Sequence, residues 1–137
     1  MKKSIFAISA ALIWFAGTSL QAVPAVQDLG KPGTKTVIDK SVILSYSFNA
    51  HPAMGTVILK IKVTDSKGKP VDGYLLTGVS DMPEMKDSNS GKVAFFQNKK
   101  KDYLLPINVT MPGKWEVTVT VKKGRKTVLT GLIDFDV

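Results

Sequence analysis

The stretch "WEVTVTVKK" (residues 115–123) alternates apolar and polar side chains over seven consecutive positions. Its odd-numbered positions from Trp115 to Val121 are apolar, whereas Glu116 and the two threonines between them are polar. Successive side chains of a β-strand point to opposite faces of its sheet, so this period of two indicates one buried and one solvated face. The stretch therefore predicts a strand whose first residue, Trp115, belongs to a core.

The same alternation recurs along the chain, and turn-forming segments such as "DSKGKP", "NKKKD" and "KKGRK" separate the repeats. No helix is predicted after residue 22. About seven short strands at roughly ten-residue spacing are typical of an all-β fold, specifically an immunoglobulin-like antiparallel β-sandwich. The other predicted strands are "VILSYSF" (42–48), "TVILKIKVTD" (56–65), "YLLPINVT" (103–110), "TVLTGLIDFDV" (127–137) and, more weakly, "VDGYLLTGV" (71–79) and "KVAFFQ" (92–97).

The first 22 residues have the layout of a secretory signal peptide, with two lysines, an apolar run over residues 5–16 and small residues up to Ala22. The apolar run is shorter than the roughly 20 residues of a membrane span. Cleavage after Ala22 predicts a periplasmic protein with no stable membrane insertion. Cleavage after Ala25 is the alternative. Leu20 is a poor residue at the third position before a cut after Ala22, so an uncleaved membrane anchor stays open.

The predicted organisation is thus a signal peptide (1–22), a flexible or edge-hugging lead-in (23–40) and one sandwich domain (41–137). Removal of 22 residues from 137 leaves 115, enough for a self-sufficient hydrophobic core. The chain has no cysteine, so it can form no disulfide.

The formal net charge is +8, or +6 without the two leader lysines. The lysines are spread over strand-like segments and turns, which favours a solvated surface over attraction to anionic lipid or nucleic acid. No nucleic-acid partner is expected.

Methionines occur in two polar, proline-containing segments. Met82 and Met85 flank Pro83 in "SDMPEMKDS" (80–88), and Met54 follows the single histidine, His51, in "HPAMG". A thioether is a soft, neutral ligand that suits Cu(I). The loops of a sandwich cluster at its two ends, so both segments could share one end. His51, Met54, Met82 and Met85 are therefore the candidate metal ligands, with Cu(I) as the candidate cofactor.

A packing role is the alternative, because methionine fills irregular gaps in cores and His51 could be an ordinary turn residue. The remaining internal methionine, Met111, is predicted to pack in the core against Trp115.

Catalysis is not predicted. One histidine and no cysteine exclude most zinc hydrolase sites and all thiol catalysis. The sequence contains no G-x-S-x-G, H-E-x-x-H or phosphate-binding glycine-rich motif.

Three short blocks occur in fixed order: Asp65, Gly68, Pro70 and Val71; Met82, Pro83 and Met85; and Met111, Gly113 and Trp115. With them the chain resembles the YtkA-like and FixH-like domain families over residues 41–137. The resemblance implies an immunoglobulin-like sandwich in exported or membrane-anchored bacterial proteins. It also implies partners in copper handling, heavy-metal efflux or oxidase assembly.

Two functions of different classes follow from these observations. The first is a periplasmic module that binds a soft metal through its Met/His loops. The second is a metal-free structural or interaction domain, an accessory to a membrane complex, that uses an open sheet edge or an exposed apolar patch.

We expect protein recovered from the periplasm to have the intact mass of residues 23–137, because residues 1–22 fit a cleaved leader. Mass spectrometry of the periplasmic and membrane fractions measures this directly. A full-length species confined to the membrane fraction would instead identify the leader as an anchor.

Overall fold

The computed structural model describes residues 25–85 and 89–137. The predicted signal peptide and residues 86–88 lie outside the described residues. The described chain is all-β and forms ten strands, two of which contain only two residues. The strands are β1 (Val26–Asp28), β2 (Thr36–Asp39), β3 (Val42–Phe48), β4 (Gly55–Thr64), β5 (Tyr74–Asp81), β6 (Val93–Ala94), β7 (Phe96–Gln97), β8 (Tyr103–Val109), β9 (Lys114–Lys123) and β10 (Lys126–Asp136).

The strands make two five-stranded sheets. The first sheet has the order β1-β10-β9-β5-β6 and the second has the order β2-β3-β4-β8-β7. Every neighbouring pair is antiparallel except β1 and β10, which run parallel. The two ten-residue strands, β9 and β4, are the central strands of their sheets.

The inward faces of the two sheets form one hydrophobic core, as in a β-sandwich. The burial pattern of β9 alternates from Trp115 to Val121, so the predicted strand and its buried face are confirmed. Phe48 of the second sheet meets Phe135 of the first, with ring centroids 5.2 Å apart. Gly78 lies so close to the opposite sheet that a Cβ there would be 2.8 Å from Leu105 Cδ2.

The strand count differs from the expected seven in two places. The segment "KVAFFQ" is two strands rather than one, since β6 joins the first sheet and β7 joins the second. Phe95 lies between them, and its side chain is buried where the chain crosses from one sheet to the other. The lead-in contributes the two further strands, β1 and β2, which lie at the edges of the two sheets.

Leu29 explains why the lead-in is attached to the body of the domain. Its side chain is buried against Gly131 of β10, where a Cβ would lie only 2.6 Å from Leu29 Cδ1. The Tyr46 hydroxyl donates a hydrogen bond to the carbonyl of Gly30 at 2.5 Å. Burial, and then the carboxylates of Asp28 and Asp134, raise the pKa of Tyr46, so this hydroxyl stays a donor at neutral pH.

The connections divide between the two ends of the sandwich. The β3–β4 turn (49–54), the described parts of the β5–β6 connection (82–85 and 89–92) and the β8–β9 turn (110–113) share one end, as does the last residue of β10. We call it the methionine end, because it holds Met54, Met82, Met85 and Met111. The other end holds the β2–β3, β4–β5, β7–β8 and β9–β10 turns.

Residues 25–85 and 89–137 contain no helix long and apolar enough to cross a bilayer.

Trp115→Ala should lower the free energy of unfolding by about 3–5 kcal/mol, a typical cost of removing a large aromatic side chain from a core. Trp115 is 4% exposed, and its ring stacks on Phe135 with centroids 6.4 Å apart. Urea denaturation measures the change.

Phe96→Ala is the matched control, because Phe96 is an aromatic residue that is 53% exposed. It should change the free energy of unfolding by less than about 0.5 kcal/mol. Equal shifts of the urea midpoint in both variants would place Trp115 outside the core.

Candidate functional site

The four internal methionines come together at the methionine end through strand register. Met54 directly precedes Gly55, which pairs with Val109, so Met54 lies beside the β8–β9 turn that contains Met111. Asp81 pairs with Glu116, so the next residue, Met82, lies beside Trp115. The β3–β4 and β5–β6 connections therefore share an end, as the site hypothesis requires. They do so although β4 and β5 belong to different sheets, because the chain crosses between the sheets at the opposite end.

Met82 is a core residue at this end, 5% exposed. Its methyl carbon Cε lies 3.0 Å from the place where a Cβ on Gly113 would be. Gly113 has φ +133°, a backbone conformation that other residues rarely adopt. The second and third blocks of the family resemblance therefore contact each other, and the contact has a packing role.

The other methionines are exposed, Met54 by 55% and both Met85 and Met111 by 40%. The N–H of Met85 donates to the carbonyl of Met82 at 2.9 Å, which closes a turn around Pro83. The prediction that Met111 packs in the core is wrong. Its backbone binds Trp115, because the indole Nε1–H donates to the Met111 carbonyl at 3.0 Å.

His51 lies on the same loop as Met54 and borders a depression of about 350 Å³. Phe48, Pro32 and the Asp134–Asp136 stretch of β10 line the rest of this depression. His51 thus has two carboxylate residues near it as well as the methionine of its own loop. Its grouping with Met54, Met82 and Met85 around one metal ion stays a prediction.

Within the described ranges, no group of three or more His, Asp or Glu side chains is arranged to hold a metal ion. Thioether sulfurs are a separate class of donor.

A row of carboxylates crosses the outer face of the first sheet next to the methionine end. Glu116 of β9 pairs with Asp81 on one side and with Asp134 on the other. Three acidic residues thus stand side by side on adjacent strands, although like charges in directly opposed positions destabilise a sheet. Sequence reasoning missed this row, because 53 residues separate Asp81 from Asp134 and only the strand register brings them together.

A cavity of about 370 Å³ opens between the sheet edges on the side of β6 and β7. Ser80 of β5 and Ser90 of the β5–β6 connection line it on one side, and Pro106 and Asn108 line it from β8. β7 pairs only with Tyr103 and Leu104, so residues 105–109 of β8 have no partner strand on this side among the described residues. This edge is therefore open.

The first block of the family resemblance is a tight turn. The carboxylate of Asp65 accepts the backbone N–H groups of Lys67 and Lys69 at 2.8 and 3.0 Å. Gly68 takes φ +83° between them, and Pro70 bridges back to Thr64. This block shapes the β4–β5 turn, at the end opposite the methionines.

In comparisons with known proteins, no family model matches the sequence and no curated protein is significantly similar to it. The resemblance to the YtkA-like and FixH-like families therefore stays a prediction.

Glu116→Gln should raise the free energy of unfolding slightly, by roughly 0.2–1 kcal/mol, because it relieves repulsion from the two opposed aspartates. The urea midpoint at low ionic strength measures the effect. The gain should shrink in about 1 M NaCl, where the Debye length falls to about 3 Å.

Glu84→Gln is the control, because Glu84 is an exposed acid of the neighbouring turn and lies outside the row. A lower midpoint for Glu116→Gln would show that its carboxylate stabilises the sheet.

Proposed function

We propose that this protein is an exported, periplasmic binding domain that holds Cu(I) with thioether ligands at its methionine end. The observation that carries the proposal is the convergence of three exposed methionines, Met54, Met85 and Met111, on three neighbouring turns of one end. Exposed methionine is uncommon, because the residue is usually buried. Three polar turns that each expose one are better explained by a soft ligand than by packing.

Each candidate ligand has its own part in the proposed site. Met54 and Met85 supply thioethers from two turns, and Met111 adds one from the third, a donor that the sequence did not suggest. Met82 is the inner residue of the site, fixed by its packing on Gly113, and its turn with Met85 sets the position of the outer sulfur. His51 adds one neutral imidazole from the loop of Met54. Thioethers favour Cu(I) over Zn(II), for which thiolates and imidazoles are better ligands.

We further propose that the sandwich is immunoglobulin-like. In the second sheet, β3-β4-β8-β7 have the order of the four-stranded sheet of such domains. In the first sheet, β10-β9-β5 have the order of the three-stranded one. β1, β2 and β6 would be additions at the edges. This order supports the resemblance to YtkA-like domains, and with it a partner in copper handling, efflux or oxidase assembly.

A second function has a specific observation in its favour. The open edge of β8 at residues 105–109 lies beside the cavity between the sheets, and Val93 and Phe96 expose apolar surface on the strands next to it. An extended segment of another protein could add a strand at such an edge. A non-catalytic interaction domain without a metal is therefore the alternative.

Met54→Leu/Met85→Leu should weaken Cu(I) binding at least tenfold, because it removes two thioethers and keeps their volume and apolar character. Each substitution should change the free energy of unfolding by less than about 1.5 kcal/mol. A competition titration with a chromophoric Cu(I) chelator under reducing conditions measures the affinity, and Zn(II) should not compete.

His51→Gln is the second variant. If the imidazole is a ligand, this variant should bind Cu(I) more weakly than the wild type in the same competition titration, because glutamine offers no imidazole nitrogen to the metal. Equal Cu(I) affinities of the wild type and the methionine variant, or no binding tighter than micromolar, would favour the interaction domain.

A further inference from the structure

The end opposite the methionines gathers most of the cations of the chain. Its four turns and their flanking residues contribute Lys40, Lys67, Lys69, the three lysines of residues 99–101 and the four cations of residues 122–126. We call these four turns with their flanking residues the basic end. The lysines looked dispersed in the sequence because 86 residues separate the first of these cations from the last.

The basic end accounts for the whole net charge of the described residues. Its ten cations and four acids give a net charge of +6. The rest of the described chain has six cations and six acids, so its net charge is zero. The methionine end, with the row of Asp81, Glu116 and Asp134, lies at the other end of the molecule.

The four acids at the basic end are engaged within it. Asp65 accepts two backbone N–H groups of its own turn, and the N–H of Lys69 is the main cause that lowers its pKa. Asp72 pairs with Lys101, Asp102 is buried, and Asp39 accepts a hydrogen bond from the Tyr74 hydroxyl at 3.4 Å. These bonds also link turns of the two sheets, so the lysines are displayed on one connected surface.

Two features indicate what kind of anion this surface meets. Nine of its ten cations are lysines, which act as flexible point charges, whereas specific recognition of nucleic acid relies on arginine. The direction of β1 is the second feature. β1 runs parallel to β10, from Thr130 towards the methionine end, so the chain enters the sandwich from the side of the basic end. Only nine residues separate the apolar run of residues 5–16 from Val26, the first residue of β1.

We propose that the basic end docks on a membrane surface rich in anionic phospholipids, so that the methionine end faces away from the bilayer. The attraction is between lysines and lipid headgroups, and it does not require insertion of the domain. An uncleaved leader, the alternative that the sequence leaves open, would place the same end against the same surface, because β1 enters the domain from that side.

The test compares two variants that lose the same charge at different places. Lys67→Gln/Lys69→Gln/Lys99→Gln/Lys100→Gln removes four exposed cations from the basic end. Lys31→Gln/Lys35→Gln/Lys92→Gln/Lys114→Gln removes four exposed cations from elsewhere. All proteins are used as recovered from cells, in the same processed form, and their urea midpoints are compared to verify folding.

Binding is measured by co-sedimentation with vesicles of phosphatidylglycerol and phosphatidylcholine, and with vesicles of phosphatidylcholine alone. We expect the wild type to prefer the anionic vesicles and to lose this preference at high salt. The basic-end variant should lose affinity on the order of 100-fold, and the control variant should stay within about threefold of the wild type. Millimolar inorganic phosphate should not displace the protein, because the binding surface is the extended array of headgroups.

Three results would overturn the proposal. Equal losses in the two variants would mean that total charge, not the basic end, determines binding. No preference of the wild type for anionic vesicles would exclude lipid docking. Tighter binding to a single-stranded oligonucleotide than to vesicles, with the same loss in the basic-end variant, would identify a nucleic-acid interface instead.

Discussion

The whole structure depends on burying the inward faces of two central strands against each other. β4 and β9 are both ten residues long, and the inward residues of β9 from Val117 to Val121 are fully buried. Each buried Val, Leu or Ile side chain contributes roughly 1.5–3 kcal/mol, so these two faces outweigh any polar contact of the domain. Because a shift of one residue would expose an entire face, this burial also fixes the strand register. Every neighbour relation at the two ends of the sandwich follows from that register.

Alternation in the sequence predicted the strands that bury one face in this core. The limits of β3, β8 and β9 are within one residue of the predicted ones. It did not predict β1 and β2, because three or four residues are too few for a period to be recognised. The position of β1 depends on a distant residue, Gly131, whose missing Cβ leaves room for Leu29, and β2 is held by its pairing with β3. A glycine inside a strand usually weakens the strand, but here it leaves space in which another segment of the same chain packs. The "KVAFFQ" segment failed as one strand for a similar reason, since the chain changes sheets at Phe95.

The methionine hypothesis shows the same limit at the level of a site. Sequence proximity suggested that Met111 packs on Trp115, four residues later. The pairing of Asp81 with Glu116 instead places Met82 beside Trp115 and leaves Met111 exposed on the turn. The sandwich topology places both predicted methionine-containing turns at one end, while the role of each methionine depended on register. The acidic row and the basic end could not be predicted from the sequence for the same reason, because both consist of residues that are far apart along the chain.

The opposite characters of the two ends bear on how the proposed activities combine. A ten-residue strand spans about 33 Å, so a surface that binds the basic end lies well beyond one Debye length, about 8 Å at physiological ionic strength, from the methionines. An anionic membrane would therefore leave Cu(I) affinity unchanged and would act only on orientation. In the inverted orientation the row of Asp81, Glu116 and Asp134 would lie against the anionic surface and be repelled by it, so the row disfavours inverted docking. A partner protein that approaches the docked domain from the side facing away from the membrane would then meet the three exposed methionines first. A cationic face on that partner would complement the acidic row beside them.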